Sequence, residues 1–440
     1  MTPTRRRSRR TTVGLIAVAF SAVALVASSA RPAAQETAST QAPFRARTDL
    51  VQIDVQVVDR DGRPVSGLDA SQFDVTIAGD RRRVAFAQLV DANGTSVSVA
   101  GLATSAAAPD GPVVSIDPLA GRRVFMVAVD AMSFDVAVSR GVAEAAANFV
   151  RALPEDDLVG LYSYPLGPKV DPTSSHVAVV QALGRVSGQR GSALAGSHDV
   201  RPSDIVDYFA AVNAGRSRDV SAILARYCGD GGGGIERQCA AEVALEIENE
   251  GRLLETQART SLGMLEPLLL RLSDIPGRKV LVLVSAGMPL SDRPGGRPDV
   301  GDLPIRLGES AARANVAIYT LYLDHRLLAQ YSAETRHASR NMTNLGRDSD
   351  LSMRWLDQFS GTAGGALLRV LVDDGAQAFT RIVRETSAYY LLGVEPADAD
   401  RTGRARQIKV KVRTRGLTVR ARQWVVVPRA PERSEGGEAP

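Results

Sequence analysis

Continuous apolar blocks in the middle of the chain are the strongest constraint on its fold. Examples are VFMVAVD (124–130), LVGLYSY (158–164), KVLVLV (279–284) and VAIYTLYLD (316–324). Strands of this kind are covered on both faces, as in a parallel sheet. Segments with apolar residues at helical spacing separate them, for example Val138, Val142, Ala145 and Phe149. The alternation predicts an α/β domain over residues 122–386, built on a doubly wound, mostly parallel sheet with right-handed crossovers.

Residues 44–92 and 387–428 carry a different pattern, in which apolar and polar residues alternate. LVQIDVQVV (50–58) and RQIKVKV (406–412) are examples. Alternation with a period of two is typical of strands with one buried face. Two or three such strands are marginally stable alone. We therefore expect the two segments to pack together into an antiparallel β module that flanks the α/β domain.

Three further segments belong to neither of these two patterns. Residues 93–121 are rich in Ala, Ser, Gly and Pro and are expected to form a linker. Residues 184–260 interrupt the strand–helix alternation and are expected to form an insertion with helices of its own. The last residues, 429–440, are expected to be a disordered tail.

Residues 1–34 have the layout of a secretory signal. Five arginines between Arg5 and Arg10 precede an apolar run from Val13 to Val26, and small residues follow. The run is short for a membrane span, which needs about 20 apolar residues. The alternative is an uncleaved anchor. We expect an exported protein located in the periplasm, on the outer cell surface or outside the cell.

The charge of the chain depends on that signal. Residues 1–34 contain six arginines and no acidic residue, so their removal changes the formal net charge from +4 to −2. The basic character therefore belongs to the signal, and the mature chain lacks the overall positive charge of a nucleic-acid-binding protein.

Two cysteines, Cys228 and Cys239, lie close together in CGDGGGGIERQC. In an exported chain this spacing favours one local disulfide, which the intervening glycines are flexible enough to allow. The alternative is a metal-binding pair, which would need further ligands nearby.

Polar residues cluster where the first apolar strand ends. Asp130 ends the strand, and Ser133 and Asp135 follow it. In a doubly wound sheet, ligands bind at the carboxyl ends of the strands. Oxygen ligands of this kind suit a hard cation such as Mg²⁺. The alternative is that Ser133 or Asp135 caps the following helix.

The chain resembles the von Willebrand factor A-type fold, whose metal-ion-dependent adhesion site combines Asp-x-Ser-x-Ser, a threonine from a second loop and an aspartate from a third. Asp130 matches the first aspartate, but Met132 and Phe134 stand where the two serines belong. Thr173 matches the second-loop threonine. The third loop usually reads Thr-Asp-Gly, and here it is Ser285, Ala286 and Gly287, so it has no carboxylate. The resemblance implies a weakened or lost site for Mg²⁺ or Mn²⁺ made by Asp130, Ser133, Asp135, Thr173 and Ser285.

More of the chain resembles the von Willebrand factor A-related family first described in acidobacteria. The resemblance is carried by LVQIDVQVVDRDGRPVSGL, by LDQFSGTAGGALLRV with its Thr362, Gly364 and Gly365, and by the closing block SAYYLLGVEP…IKVKVRTRGLTVRAR. In that family the first loop is often degenerate and the third often reads Ser-x-Gly. The departures of this chain from the strict adhesion-site motif are therefore what this resemblance implies.

A hydrolase is the alternative function. Ser285 lies at a strand-to-turn position, as a nucleophile elbow requires, but Leu283 replaces the first glycine of Gly-x-Ser-x-Gly. His325 follows Asp324 at another strand end, so a Ser-His-Asp group is conceivable. No His-Glu-x-x-His sequence occurs, which disfavours a zinc protease of that class. We expect a non-catalytic, adhesion-type module whose partner is a protein of unknown identity, with no nucleic acid bound and no membrane span after signal removal.

Overall fold

The structure is a computed structural model that describes residues 50–91, 123–190, 198, 200–228, 237–324, 344–370 and 375–429. The strands are β1 (Val51–Val58), β2 (Phe73–Ile77), β3 (Asp80–Arg82), β4 (Val84–Asp91), β5 (Val124–Asp130), β6 (Leu158–Tyr164), β7 (Lys169–Thr173), β8 (Lys279–Ser285), β9 (Val316–Leu323), β10 (Leu367–Val370), β11 (Ala388–Val394), β12 (Ala405–Val412), β13 (Thr418–Ala421) and β14 (Trp424–Val426). The helices are α1 (Ser139–Ala152), α2 (His176–Leu183), α3 (Pro202–Asn213), α4 (Ser217–Cys228), α5 (Arg237–Ser273), α6 (Leu303–Arg313), α7 (Leu345–Thr362) and α8 (Gly375–Glu385).

A six-stranded sheet in the order β10-β9-β8-β5-β6-β7 forms the central layer. Its neighbouring strands are parallel, except that β7 runs antiparallel to β6. The apolar side chains of β5 and β8 alternate between two cores, one against α1 and α8 and the other against α5, α6 and α7. Burial on both faces explains why these strands are continuously apolar. The predicted α/β class with a mostly parallel sheet is confirmed.

Two four-stranded antiparallel sheets flank this layer, in the orders β13-β1-β11-β4 and β14-β12-β2-β3. Each sheet combines strands from both ends of the chain, because β1 pairs with β11 and β13, and β2 pairs with β12. The inward side chains of the two sheets share one apolar core, which includes Ile53, Val75, Tyr390 and Ile408. The pairing gives each short terminal segment the partners that it lacks alone.

A buried carboxylate, Glu385 at the end of α8, joins the antiparallel sheets to the parallel layer. It accepts hydrogen bonds from the guanidinium groups of Arg420 in β13 and Arg381 in α8, and from the hydroxyl of Tyr319 in β9. The carboxylate is fully buried and its donors come from three elements. Its ion pairs therefore fix how β13 lies against the layer.

The inserted segment is built differently from the predicted insertion over 184–260. Helix α5 is 37 residues long and runs without interruption through the expected boundary at residue 260. Its first half packs with α3 and α4, and its second half covers the central sheet. The inserted helices are therefore continuous with the α/β layer.

Several predictions fall outside the described residues. They are the signal over 1–34, the linker over 93–121, residues 430–440 of the tail, and His325. Within the described residues, no helix has both the length and the apolar character that a membrane crossing requires.

Candidate functional site

The carboxyl ends of β5 and β8 bring Asp130 and Ser285 together. The strand order changes direction at this pair, since β6 follows β5 on one side and β8 is added on the other. Parallel strands end at the same edge of a sheet, and the crevice at such a switch point is the usual binding place in doubly wound folds. Ser285 Oγ donates a hydrogen bond of 3.0 Å to Asp130 Oδ2. The sequence prediction that these two residues meet is correct.

Ser133 ties the two strand-end loops to each other. Its hydroxyl donates to the main-chain oxygen of Asp130 at 2.6 Å and accepts from the main-chain N–H of Ala286 at 2.9 Å. Ser285 Oγ accepts in turn from the N–H of Gly287 at 3.0 Å. A side chain at Gly287 would lie 2.3 Å from the Ser352 carbonyl oxygen, so this turn needs glycine. Both serine hydroxyls are thus used in holding the loops.

Two further residues, Ser261 and Tyr164, close the site from the side of α5. Tyr164 lies opposite Asp130 in the β5–β6 register, and Ser261 projects from α5 towards both. Asp130, Ser285 and Ser261 are each at most 1% exposed. Asp130 Oδ1 and Ser261 Oγ are buried and make no hydrogen bond of normal geometry with any described residue. The polar cluster is therefore sealed from solvent.

Burial controls the ionisation of this cluster. It raises the pKa of the Asp130 carboxyl to about 6, while the polar groups of Ser261, Ser285 and the Met132 main chain offset part of the rise. The pKa of the Tyr164 hydroxyl is also well above its usual value, chiefly because of burial and also because of the neighbouring Asp130 carboxylate. Burial thus shifts the titration of both groups towards their uncharged forms.

Asp135 and Thr173 do not join this cluster. Asp135 Oδ1 accepts from the N–H of Ala137 at 3.0 Å and caps the short 3-10 turn Val136–Val138, as the helix-cap alternative predicts. Thr173 in β7 pairs with Val159, near the start of β6. Asp130 lies opposite Tyr164 at the end of β6, five residues and about 17 Å away. The expected grouping of Thr173 with Asp130 and Ser285 is wrong, because β7 turns back antiparallel to β6.

The residues that remain do not fit a divalent cation. Mg²⁺ demands near-octahedral oxygen coordination, usually with one or two carboxylates and several waters. Asp130 is the one carboxylate in the sealed cluster, and the hydroxyls of Ser133 and Ser285 are each held in two hydrogen bonds. In the part of the chain that the structure describes, no three His, Cys, Asp or Glu side chains are grouped to hold a metal ion. The strand end therefore lacks the set of donors that a divalent cation needs.

The arrangement also lacks the features of a serine nucleophile. Ser285 is fully buried and donates its proton to an aspartate rather than to a histidine. His176 lies at the other end of the sheet, where Nε2 is 2.9 Å from the Asp157 oxygen. Asp324, at the end of β9, is held by Ser349 and Arg369. No Ser-His-Asp group is formed among the described residues; His325 is outside them.

The chain was compared with known proteins. No protein-family model matches it, and no curated protein matches it. The resemblance to von Willebrand factor A-type proteins therefore stays a prediction that rests on the motifs and on the fold.

Sequence reasoning missed Tyr164 and Ser261. The strand alternation could have identified Tyr164, because it lies in register with Asp130 on the same face of the sheet. No sequence signal pointed to Ser261, which reaches the site along a helix that begins in the inserted segment.

Proposed function

We propose that the chain is an exported, non-catalytic protein-binding module of the von Willebrand factor A type, and that it binds its partner without a metal ion. Its contact surface would be the strand-end rim, formed by residues 131–136, 165–167 and 187–190. The disulfide Cys228–Cys239 supports export, since disulfides persist in oxidising compartments.

Two exposed apolar side chains on the rim carry this proposal. Val136, after β5, is 67% exposed, and Leu166, after β6, is 73% exposed. Single exposed apolar residues are common, but a pair on adjacent loops at one edge of a sheet is a candidate contact surface. Interface centres are depleted in charge and rich in apolar side chains.

The rim loops are held in place by main-chain hydrogen bonds. Gln189 donates from its main chain to Ala131 at 2.6 Å and from its side chain to the Leu166 oxygen at 2.5 Å. The N–H of Arg190 donates to the oxygen of Phe134 at 3.0 Å. Residues 187–190 therefore bridge both loops. A preorganised surface loses little conformational entropy on binding.

The sealed cluster supports this surface from below. Because Asp130 and Ser285 are buried beneath the rim, a partner carboxylate cannot reach them in this arrangement. Recognition would depend on the shape of the rim and on its apolar side chains.

The test is capture of a partner from the envelope fraction of the source organism, with the mature chain as bait. The paired variant Val136→Asp/Leu166→Asp should lose a protein that the wild type retains equally with Mg²⁺ and with EDTA. Val177→Asp is the matched control, since Val177 is 68% exposed but lies at the opposite end of the sheet. Equal loss in Val177→Asp, or loss of the protein from the wild type in EDTA, would contradict the proposal.

A further inference from the structure

The disulfide of the inserted helices lies beside a histidine and a glutamate. Cys228, the last residue of α4, is bonded to Cys239, in the first turn of α5. His198 Nε2 lies 4.0 Å from Cys239 Sγ, and His198 Nδ1 lies 2.9 Å from Glu246 Oε2. Sequence reasoning predicted the disulfide but gave no role to His198 or Glu246.

The two sulfurs have different surroundings. Cys239 lies at the N-terminus of a 37-residue helix and faces His198, and both features stabilise a thiolate. Cys228 lies at the C-terminus of α4, where the helix dipole disfavours negative charge. Cys239 is therefore the better leaving group, because the sulfur whose thiol has the lower pKa leaves faster in exchange.

Glu246 orients the imidazole. Its carboxylate accepts from Nδ1–H of His198, so that Nε2 is directed at the sulfur. When the ring carries both protons, its Nε2–H can donate to a departing thiolate. Cys239, His198 and Glu246 thus have the order of thiol, imidazole and orienting carboxylate that activated thiols use, with Cys239 here as the leaving group.

The site is within reach of solvent. The side chains of His198 and Glu246 are 16% and 18% exposed. Both cysteines are half-buried. A small thiol can approach this position, whereas a disulfide in the centre of a core would be protected.

We propose that Cys228–Cys239 is a reactive disulfide that undergoes exchange with an external dithiol. A thiolate of the dithiol attacks Cys228 Sγ and forms a mixed disulfide, and the Cys228–Cys239 bond breaks. Cys239 leaves with the electron pair as a thiolate, which His198 stabilises and protonates. The second thiol of the dithiol then attacks the dithiol's first sulfur, which breaks the mixed disulfide, forms the new disulfide and releases Cys228 as a thiol that takes up the proton. The protein disulfide is reduced to two thiols, and the dithiol is oxidised to a disulfide with the transfer of two electrons and two protons. Glu246 is a positioning residue.

Single-cysteine variants of the full mature chain test the asymmetry. The pH dependence of iodoacetamide alkylation gives the pKa of the one remaining thiol. In Cys228→Ser, Cys239 should titrate below the ordinary value of about 8.5, and His198→Gln should raise that pKa by about one unit. In Cys239→Ser, the matched control, Cys228 should titrate at 8.5 or above. A Cys239 thiol that titrates no lower than Cys228 would overturn the proposal.

Exchange by the intact disulfide gives a second measurement. Reduction by dithiothreitol should be about ten-fold slower in His198→Gln than in the wild type. Glu246→Gln should slow it less, and circular dichroism of both variants establishes whether they fold. Should His198→Gln not fold, Glu246→Gln decides the result. Glutathione should be trapped on Cys228, as mass spectrometry of the peptides would show. Unchanged reduction in the folded variants, or glutathione on Cys239, would show that the disulfide is only a structural cross-link.

Discussion

The hydroxyl of Ser285 donates a hydrogen bond to the carboxyl of Asp130 across the ends of two adjacent parallel strands. In an open strand-end site these oxygens would face a ligand. Here the hydroxyl satisfies one carboxyl oxygen, and α5 covers the pair from the side. The place that usually binds a ligand in this architecture is thus filled by the protein's own side chains.

The ionisation of Asp130 should make stability depend on pH. Folding raises its pKa from 3.8 to about 6, so the folded state binds more protons than the unfolded state between about pH 4 and 6. The stabilisation that Asp130 gains from this proton is therefore present at low pH and is lost as the pH rises through this window. Two pKa units correspond to about 3 kcal/mol. Asp130→Asn does not ionise, so its free energy of unfolding relative to wild type should rise by about 2 kcal/mol of this total between pH 4 and pH 7.

Urea unfolding at several pH values measures this difference. Asp135→Asn is the control, because that exposed side chain caps a turn and asparagine caps as well as aspartate. Its difference from wild type should change by less than about 0.5 kcal/mol over the same range. A difference for Asp130→Asn that stays flat from pH 4 to pH 7 would be inconsistent with a buried, proton-binding carboxyl.

Ser285→Ala separates a structural serine from a nucleophile. The variant leaves Asp130 Oδ2 and the Gly287 N–H without this hydroxyl, and should lower the free energy of unfolding by about 1–3 kcal/mol. Ser387→Ala, near the surface, should cost less than about 0.5 kcal/mol. Broad esterase and peptidase assays should show no activity that depends on Ser285. Hydrolysis by the wild type that disappears in Ser285→Ala would identify an enzyme instead.

Glu385→Gln tests the link between the antiparallel sheets and the parallel layer. The substitution keeps the shape of the side chain but leaves Arg420, whose side chain is 15% exposed, without its counter-charge. Removing one partner of a buried pair costs about 3 kcal/mol or more. Glu395→Gln breaks the exposed pair with Arg83 and should cost less than about 1 kcal/mol. Equal costs for the two variants in urea unfolding would rule out a special role for Glu385.

Gly365→Ala tests the packing of the segment that follows α7. A Cβ atom there would lie 2.0 Å from the Ile318 main-chain oxygen in β9. Backbone would have to move, and we expect a loss of about 3 kcal/mol in stability. Gly361→Ala is the matched control, since nothing lies within 4 Å of its Cβ position and the residue is inside α7. Alanine there should stabilise the helix by up to about 1 kcal/mol. The reverse order in thermal unfolding would contradict the packing described.

Much of the fold could be predicted because the burial of a strand face determines which of its residues are apolar. The blocks ending at Asp130 and Ser285 are apolar on both faces, which identified parallel strands and hence their shared edge. The alternation around Ile53 and Ile408 identified strands with one buried face. Because these strands are too few to be stable apart, their pairing followed from the same observation.

The parts that were missed depend on chain reversals and long-range packing. Thr173 was expected beside Asp130, but the four residues Pro165–Pro168 between β6 and β7 are too few for a parallel crossover, which needs about a dozen. The short length of this loop could have been recognised in the sequence. The position of Ser261 depends on how α5 crosses the sheet, and a helical pattern does not show which polar residue will meet a strand end.

Calorimetric titration of Mg²⁺ and Mn²⁺ into the chain without residues 1–34 tests most directly whether the strand end binds a metal ion. Asp130 lies in a sealed cluster with neighbouring hydroxyls already in hydrogen bonds. We predict no saturable heat at millimolar cation, in the wild type or in Asp130→Ala. Saturable binding by the wild type that Asp130→Ala abolishes would show that the strand end opens to hold a cation and would contradict metal-free recognition.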